Sequence, residues 1–128
     1  MKTLFFSYIL APFLLFSQIS PPVDVDFKVE EDFYYPGEVV KIFTNVSVEP
    51  DFHIYAINKQ SKGPIPSKVT INGDVVDFVG QTVEPKPINK YDEGFLTETF
   101  YHEGKFKFET TFKLLDDIND GENLIITN

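Results

Sequence analysis

The decapeptide KFKFETTFKL, Lys105–Leu114, sets Phe106, Phe108, Phe112 and Leu114 on one side of an extended chain and Lys105, Lys107, Glu109 and Lys113 on the other. Successive side chains of a strand point to opposite faces, so this split predicts one face against a core and one in water. The same alternation recurs upstream. Val23, Val25, Phe27 and Val29 alternate with Asp24, Asp26, Lys28 and Glu30, and Val39–Val48 brings Val40, Ile42, Val46 and Val48 together. No window of useful length shows the longer period of an amphipathic helix.

Turn chemistry divides these runs. Tyr35-Pro36-Gly37-Glu38 has Pro second and Gly third, the type II pattern, because glycine accepts the positive φ required there. Glu49-Pro50-Asp51 ends the second strand, and Phe52, Ile54 and Ala56 then alternate with His53, Tyr55 and Ile57 before a polar loop closed by Gly63-Pro64-Ile65-Pro66. Asn72-Gly73, between Val69/Ile71 and Val75–Val79, predicts a hairpin. Gln81–Gly94, with two prolines and mixed charge, reads as a long extended loop. Phe95–Tyr101 and Lys105–Leu114 read as the clearest pair of strands, joined through His102-Glu103-Gly104. Asp116–Asn123 is an acidic turn, and Leu124–Thr127 begins a last strand. About eight short strands without a helix predict an all-β, immunoglobulin-like antiparallel sandwich.

The first residues have a different character. Lys2 precedes an apolar run, Leu4–Phe16, and Ser17 is small enough to mark a cleavage site, so residues 1–17 read as a signal peptide and 18–128 as one domain. As a helix that apolar run would rise only about 20 Å, short of the roughly 30 Å hydrocarbon core, so no span of the mature chain is expected. The expected location is periplasmic or secreted. Removal of the segment leaves 111 residues and takes the net charge from −9 to −10. All 11 basic residues are lysines, and so acidic a chain lacks the clustered cations that bind nucleic acid. The absence of cysteine excludes thiol chemistry and cysteine-ligated metals within these residues. Without disulfides, 14 Phe and 6 Tyr supply much of the core.

No catalytic constellation emerges. A zinc site would need His53 and His102, the only histidines, to converge from separate hairpins with carboxylates. Asp116–Gly121 superficially fits a calcium loop, but aligning Gly121 to the sixth position puts Ile118 at the third and Thr127 at the twelfth, where oxygen ligands belong. No G-x-S-x-G elbow is present, and no carboxylate pair stands out by spacing. Asn45-Val46-Ser47 fits a glycosylation sequon but lies mid-strand, where chance explains it. No catalytic residue, metal or cofactor is therefore expected. Two proline-stiffened loops, 58–66 and 84–95, are the segments suited to present a surface, since a fixed φ lowers the ordering entropy of binding. The same prolines could equally guard sheet edges against unwanted pairing.

Several segments, taken in order, resemble the N-terminal domain of the thiol:disulfide interchange protein DsbD, in the versions of Bacteroidetes-type bacteria. They are Phe52-His53-Ile54-Tyr55, Gly63-Pro64-Ile65-Pro66-Ser67, Val79-Gly80, Glu84-Pro85-Lys86-Pro87, Tyr91-Asp92, and Tyr101 through Glu103-Gly104, within a likeness that covers most of residues 23–127. The resemblance implies an exported immunoglobulin-like domain in a relay of reducing equivalents. Its partners would be periplasmic thiol-disulfide proteins or a membrane-embedded redox domain. It implies that Tyr91, Asp92, Glu93, Gly94 and Phe95 occupy the place of a cap loop, with Tyr91 or Phe95 as the covering ring. Gly63, Pro64 and Pro66 would be a structural turn. The family's cysteine pair follows the strand that begins here at Leu124, so the chain is expected to be a fragment ending before that pair and redox-inactive as it stands. The alternative expectation is an exported immunoglobulin-like binding or adhesion module with no redox role.

Overall fold

The computed structural model describes residues 20–57 and 62–118. The segment expected to be a signal peptide (residues 1–17), residues 58–61 of the polar loop, residues 119–123 of the acidic turn and the strand expected at Leu124–Thr127 lie outside the described residues. The described residues form seven strands: β1 (Val23–Val29), β2 (Val39–Val48), β3 (Ile54–Tyr55), β4 (Val76–Val79), β5 (Ile88–Asp92), β6 (Thr97–His102) and β7 (Lys105–Leu114). They make an antiparallel β-sandwich of two sheets, ordered β1-β2-β7-β4 and β3-β6-β5. Four strands against three is the division of an immunoglobulin-like sandwich. Among the described residues there is no helix.

The three most regular sequence patterns are the three strands that carry the larger sheet. β2 is central, pairing with β1 from Val23↔Val48 to Val29↔Ile42 and with β7 from Val39↔Lys113 to Ser47↔Lys105. These registers bring the apolar faces to one side. Val40, Ile42, Phe112 and Leu114 form one buried cluster, and Val46, Val48 and Phe108 form a second. Between them two inward positions are polar, Thr44 on β2 and Thr110 on β7, both buried. The Thr110 hydroxyl lies 2.8 Å from that of Thr82. Thr44 Oγ1 is buried without a hydrogen-bond partner. The interior is thus two apolar clusters separated by a seam of threonines.

Turn residues behave as their chemistry requires. Gly37 takes φ +80° and Glu38 N donates to Tyr35 O at 3.1 Å, as a type II turn does. Glu49-Pro50-Asp51-Phe52 repeats the device, with Phe52 N donating to Glu49 O at 3.2 Å, but a non-glycine residue, Asp51, occupies the left-handed position at φ +69°.

Four expectations are corrected. Asn72-Gly73 does not close a hairpin: neither residue has positive φ, and β4 pairs with β7. Val69 packs on the second cluster while Ile71, Val75 and Val76 pack on the first, so core burial takes the apolar residues that would have paired. Ile88–Asp92, expected within a loop, is an edge strand paired with β6. The segment alternating from Phe52 is a strand only at Ile54–Tyr55, although Ala56 N still donates to Phe100 O at 2.8 Å. Finally, β6 and β7 are successive in sequence but lie in different sheets. Gly104, at φ +68°, turns the chain from one layer to the other, and its carbonyl accepts from Val48 N at 2.8 Å.

Candidate functional site

β5 and β6 form a hairpin whose register, Asp92↔Thr97, leaves four residues, Glu93 to Leu96, in the loop. Asp92 Oδ1 accepts from the Gly94 and Phe95 amides at 2.8 and 3.1 Å, the local side-chain bonding that stabilises a turn after Asp. Leu96 completes the reversal at φ +53°, a conformation uncommon for a bulky residue, and is 76% exposed. Phe95 and Leu96 therefore stand out as an apolar tip.

Pairing fixes which residues share a face. Tyr55↔Tyr101, Ile88↔Tyr101 and Lys90↔Thr99 are opposite one another, so Tyr55, Tyr101, Thr99, Lys90 and Ile88 line the outer side of β3-β6-β5. The Glu49–Phe52 turn delivers Asp51, Phe52 and His53 beside them. His53 contacts Tyr55 and Tyr101 at centroid distances of 5.1 and 4.8 Å, and Tyr55 meets Phe95 edge-on at 6.4 Å. The result is a groove of about 560 Å³ walled by Phe52, His53 and Tyr101, bordered along β5 by Tyr91, whose pairing with Glu98 turns its ring to the other face, and lined by the carboxylates Asp51, Asp92, Glu93 and Glu103. Thr99 sits at its floor, buried, its hydroxyl donating to Lys90 O at 3.2 Å.

Of the five residues expected as a cap, Tyr91, Asp92, Glu93 and Gly94 line this groove and Phe95 backs it through Tyr55. Tyr91 and Asp92 belong to β5; the loop proper is Glu93–Leu96. Gly63, Pro64 and Pro66 lie elsewhere. Gly63 holds φ +124°, which only glycine adopts readily, and Pro64 and Pro66 are half-buried around a fully presented Ile65.

The sequence reading missed a second feature, on the opposite side of the same sheet. His102, expected in a turn, is the last residue of β6 and is buried. Its Nε2 lies 2.9 Å from Glu84 Oε2, which also accepts from Ile57 N at 2.8 Å. Phe106 and Phe108 close over the imidazole, with centroids 4.8 and 5.7 Å away. Glu84 marks where the chain leaves one sheet for the other. Just before it, Gly80 N donates to Thr111 O at 2.7 Å, and Val83 and Glu109 exchange backbone bonds of 2.7 and 2.9 Å along β7. Glu84 then fastens this crossing to β6 and to the end of β3. His53 and His102 thus occupy opposite faces and do not converge. Among the described residues no group of three or more His, Cys, Asp or Glu could hold a metal ion, and no helix is long and apolar enough to cross a membrane.

No protein-family model, curated protein or solved structure matches the chain.

Proposed function

We propose that the chain is an exported docking domain of the DsbD N-terminal type, periplasmic or secreted, whose groove receives thiol-disulfide proteins or a membrane-embedded redox domain. The domain binds and performs no exchange, since exchange needs a thiolate and the 128 residues contain no cysteine. One observation carries this reading. Phe52-His53, Tyr91-Asp92 and Tyr101, three separate stretches on which the resemblance rests, line a single groove. Aromatic and acidic residues from distant positions gathered on one exposed face are the kind of surface that loops and strand ends use for recognition.

Calorimetric titration of the full chain with thioredoxin-fold oxidoreductases from the same organism's envelope tests the proposal. Saturable binding that Phe52→Ala weakens, with the fold intact by circular dichroism, supports it. No heat with any of them, oxidised or reduced, overturns it. The absence of cysteine also favours a second reading, an immunoglobulin-like binding or adhesion module with no redox partner. Binding of a non-thiol envelope protein at the same groove, with no oxidoreductase bound, would select that reading.

A further inference from the structure

We infer that the groove on the outer side of β3-β6-β5 is a cation-selective peptide site that takes an extended partner segment bearing Lys or Arg side chains. The inference rests on the groove being the docking surface proposed above, and adds the chemistry of its occupant.

The walls and the rim give independent arguments. The lining rings are not stacked into a platform: His53 and Tyr101 are tilted at 49° to each other, and His53 is held edge-on by Tyr55 behind it at 79°. Such tilted rings present faces around a hollow rather than one flat surface for a planar ligand. A ring face is negative and attracts a cation held over it. The chain already uses this attraction elsewhere, with Lys107 Nζ 4.5 Å from the Phe43 centroid. The volume of about 560 Å³ falls within the ~300–1,000 Å³ of ligand clefts.

The rim is complementary to the same ligand. Four carboxylates, Asp51, Asp92, Glu93 and Glu103, face one lysine, Lys90. Among the described residues none of the four is in an ion pair, whereas Lys41, Lys107 and Lys113 are all paired on the other sheet. Asp92 spends one oxygen on backbone amides of the hairpin loop. Asp51 is brought to the rim by the Glu49–Phe52 turn, at a φ of +69° that aspartate tolerates. The net charge of −9 adds long-range attraction for a basic partner.

The test uses the full chain and three capped hexapeptides of alternating glycine with arginine, citrulline or glutamate, followed by amide chemical shifts. The arginine peptide should bind saturably and shift Tyr91, Thr99, Tyr101 and Glu103 together. Raising salt from about 0.05 to 0.5 M should weaken it severalfold, as screening of exposed charges requires. The variant Asp51→Asn/Glu93→Gln/Glu103→Gln should fold normally and bind at least about tenfold more weakly. Equal affinity for the citrulline or glutamate peptide overturns the inference, as does binding that the triple variant leaves unchanged. The two proposals fail separately. Oxidoreductase binding that survives the triple variant sinks the cationic occupant alone; arginine-peptide binding with no oxidoreductase bound sinks the redox partner alone.

Discussion

The Glu84 carboxylate and the His102 imidazole meet at 2.9 Å with side chains only 6% and 4% exposed. The pair ties the chain segment that passes between sheets to the middle strand of the smaller one. Removing one partner breaks a buried hydrogen bond and leaves the other group less fully satisfied, a change that costs about 1–3 kcal/mol. Glu84→Ala and His102→Ala are each expected to destabilise the fold by that amount, measured by urea denaturation. Glu84→Gln, which keeps an acceptor for Ile57 N, should lose less.

Thr44 and Thr110 make opposite predictions from neighbouring places. Thr44 Oγ1 is buried without a partner, so Thr44→Val removes an unsatisfied group and should stabilise by about 1 kcal/mol. Thr110→Val breaks the 2.8 Å contact with Thr82 and leaves that hydroxyl alone, and should destabilise by a similar amount, about 1 kcal/mol. Paired denaturation curves of the two variants check the sign of each.

Gly80 is required for approach rather than for φ. A Cβ there would sit 2.6 Å from Thr111 Oγ1 and 3.1 Å from Thr111 O. Gly80→Ala should therefore cost about 1–3 kcal/mol through overpacking. Adding Thr111→Ala should recover only part of the loss, because the backbone carbonyl remains. Gly104→Ala meets no atom within 4 Å but must hold φ +68°, so its cost of about 1–2 kcal/mol should be indifferent to any neighbour's substitution.

Leu96 offers a trade between stability and presentation. Exchange for glycine relieves φ +53° and should raise stability by about 0.5–1 kcal/mol, less than the full strain because glycine loses more freedom on folding. If the exposed tip takes part in docking, Leu96→Gly will also weaken partner binding in the calorimetric titration described above. A gain in both quantities would remove the tip from the binding surface.

How much of this was readable beforehand depended on whether a residue's fate was local. β1, β2 and β7 were legible because one face of each is more buried than the other, which writes a period of two into the residues themselves. β5 was not. As an exposed edge it carries Asn89, Lys90 and Asp92 with no buried alternation to betray it, and Pro85 and Pro87 just before it point to a loop. Asn72-Gly73 misled because turn chemistry competes with the core, and here burial of Ile71 and Val76 wins. The Glu84–His102 pair left no trace, being 18 residues apart with no spacing rule to link them. The groove was half legible: Tyr91–Phe95 stood out, but the contribution of Asp51–His53 exists only once β3 is laid against β6.

The threonine seam across the interior divides the sandwich into compartments. Ile54, beneath the groove, belongs with Val46, Val48 and Phe108, whereas Tyr34 and Ile118 at the far end belong with Val40 and Phe112. Opening of a fold proceeds in cooperative units bounded by weak packing. A partner seated on the aromatic hollow would thus tighten only the near compartment, slowing amide exchange in β3 and β6 while the far end keeps its own rhythm.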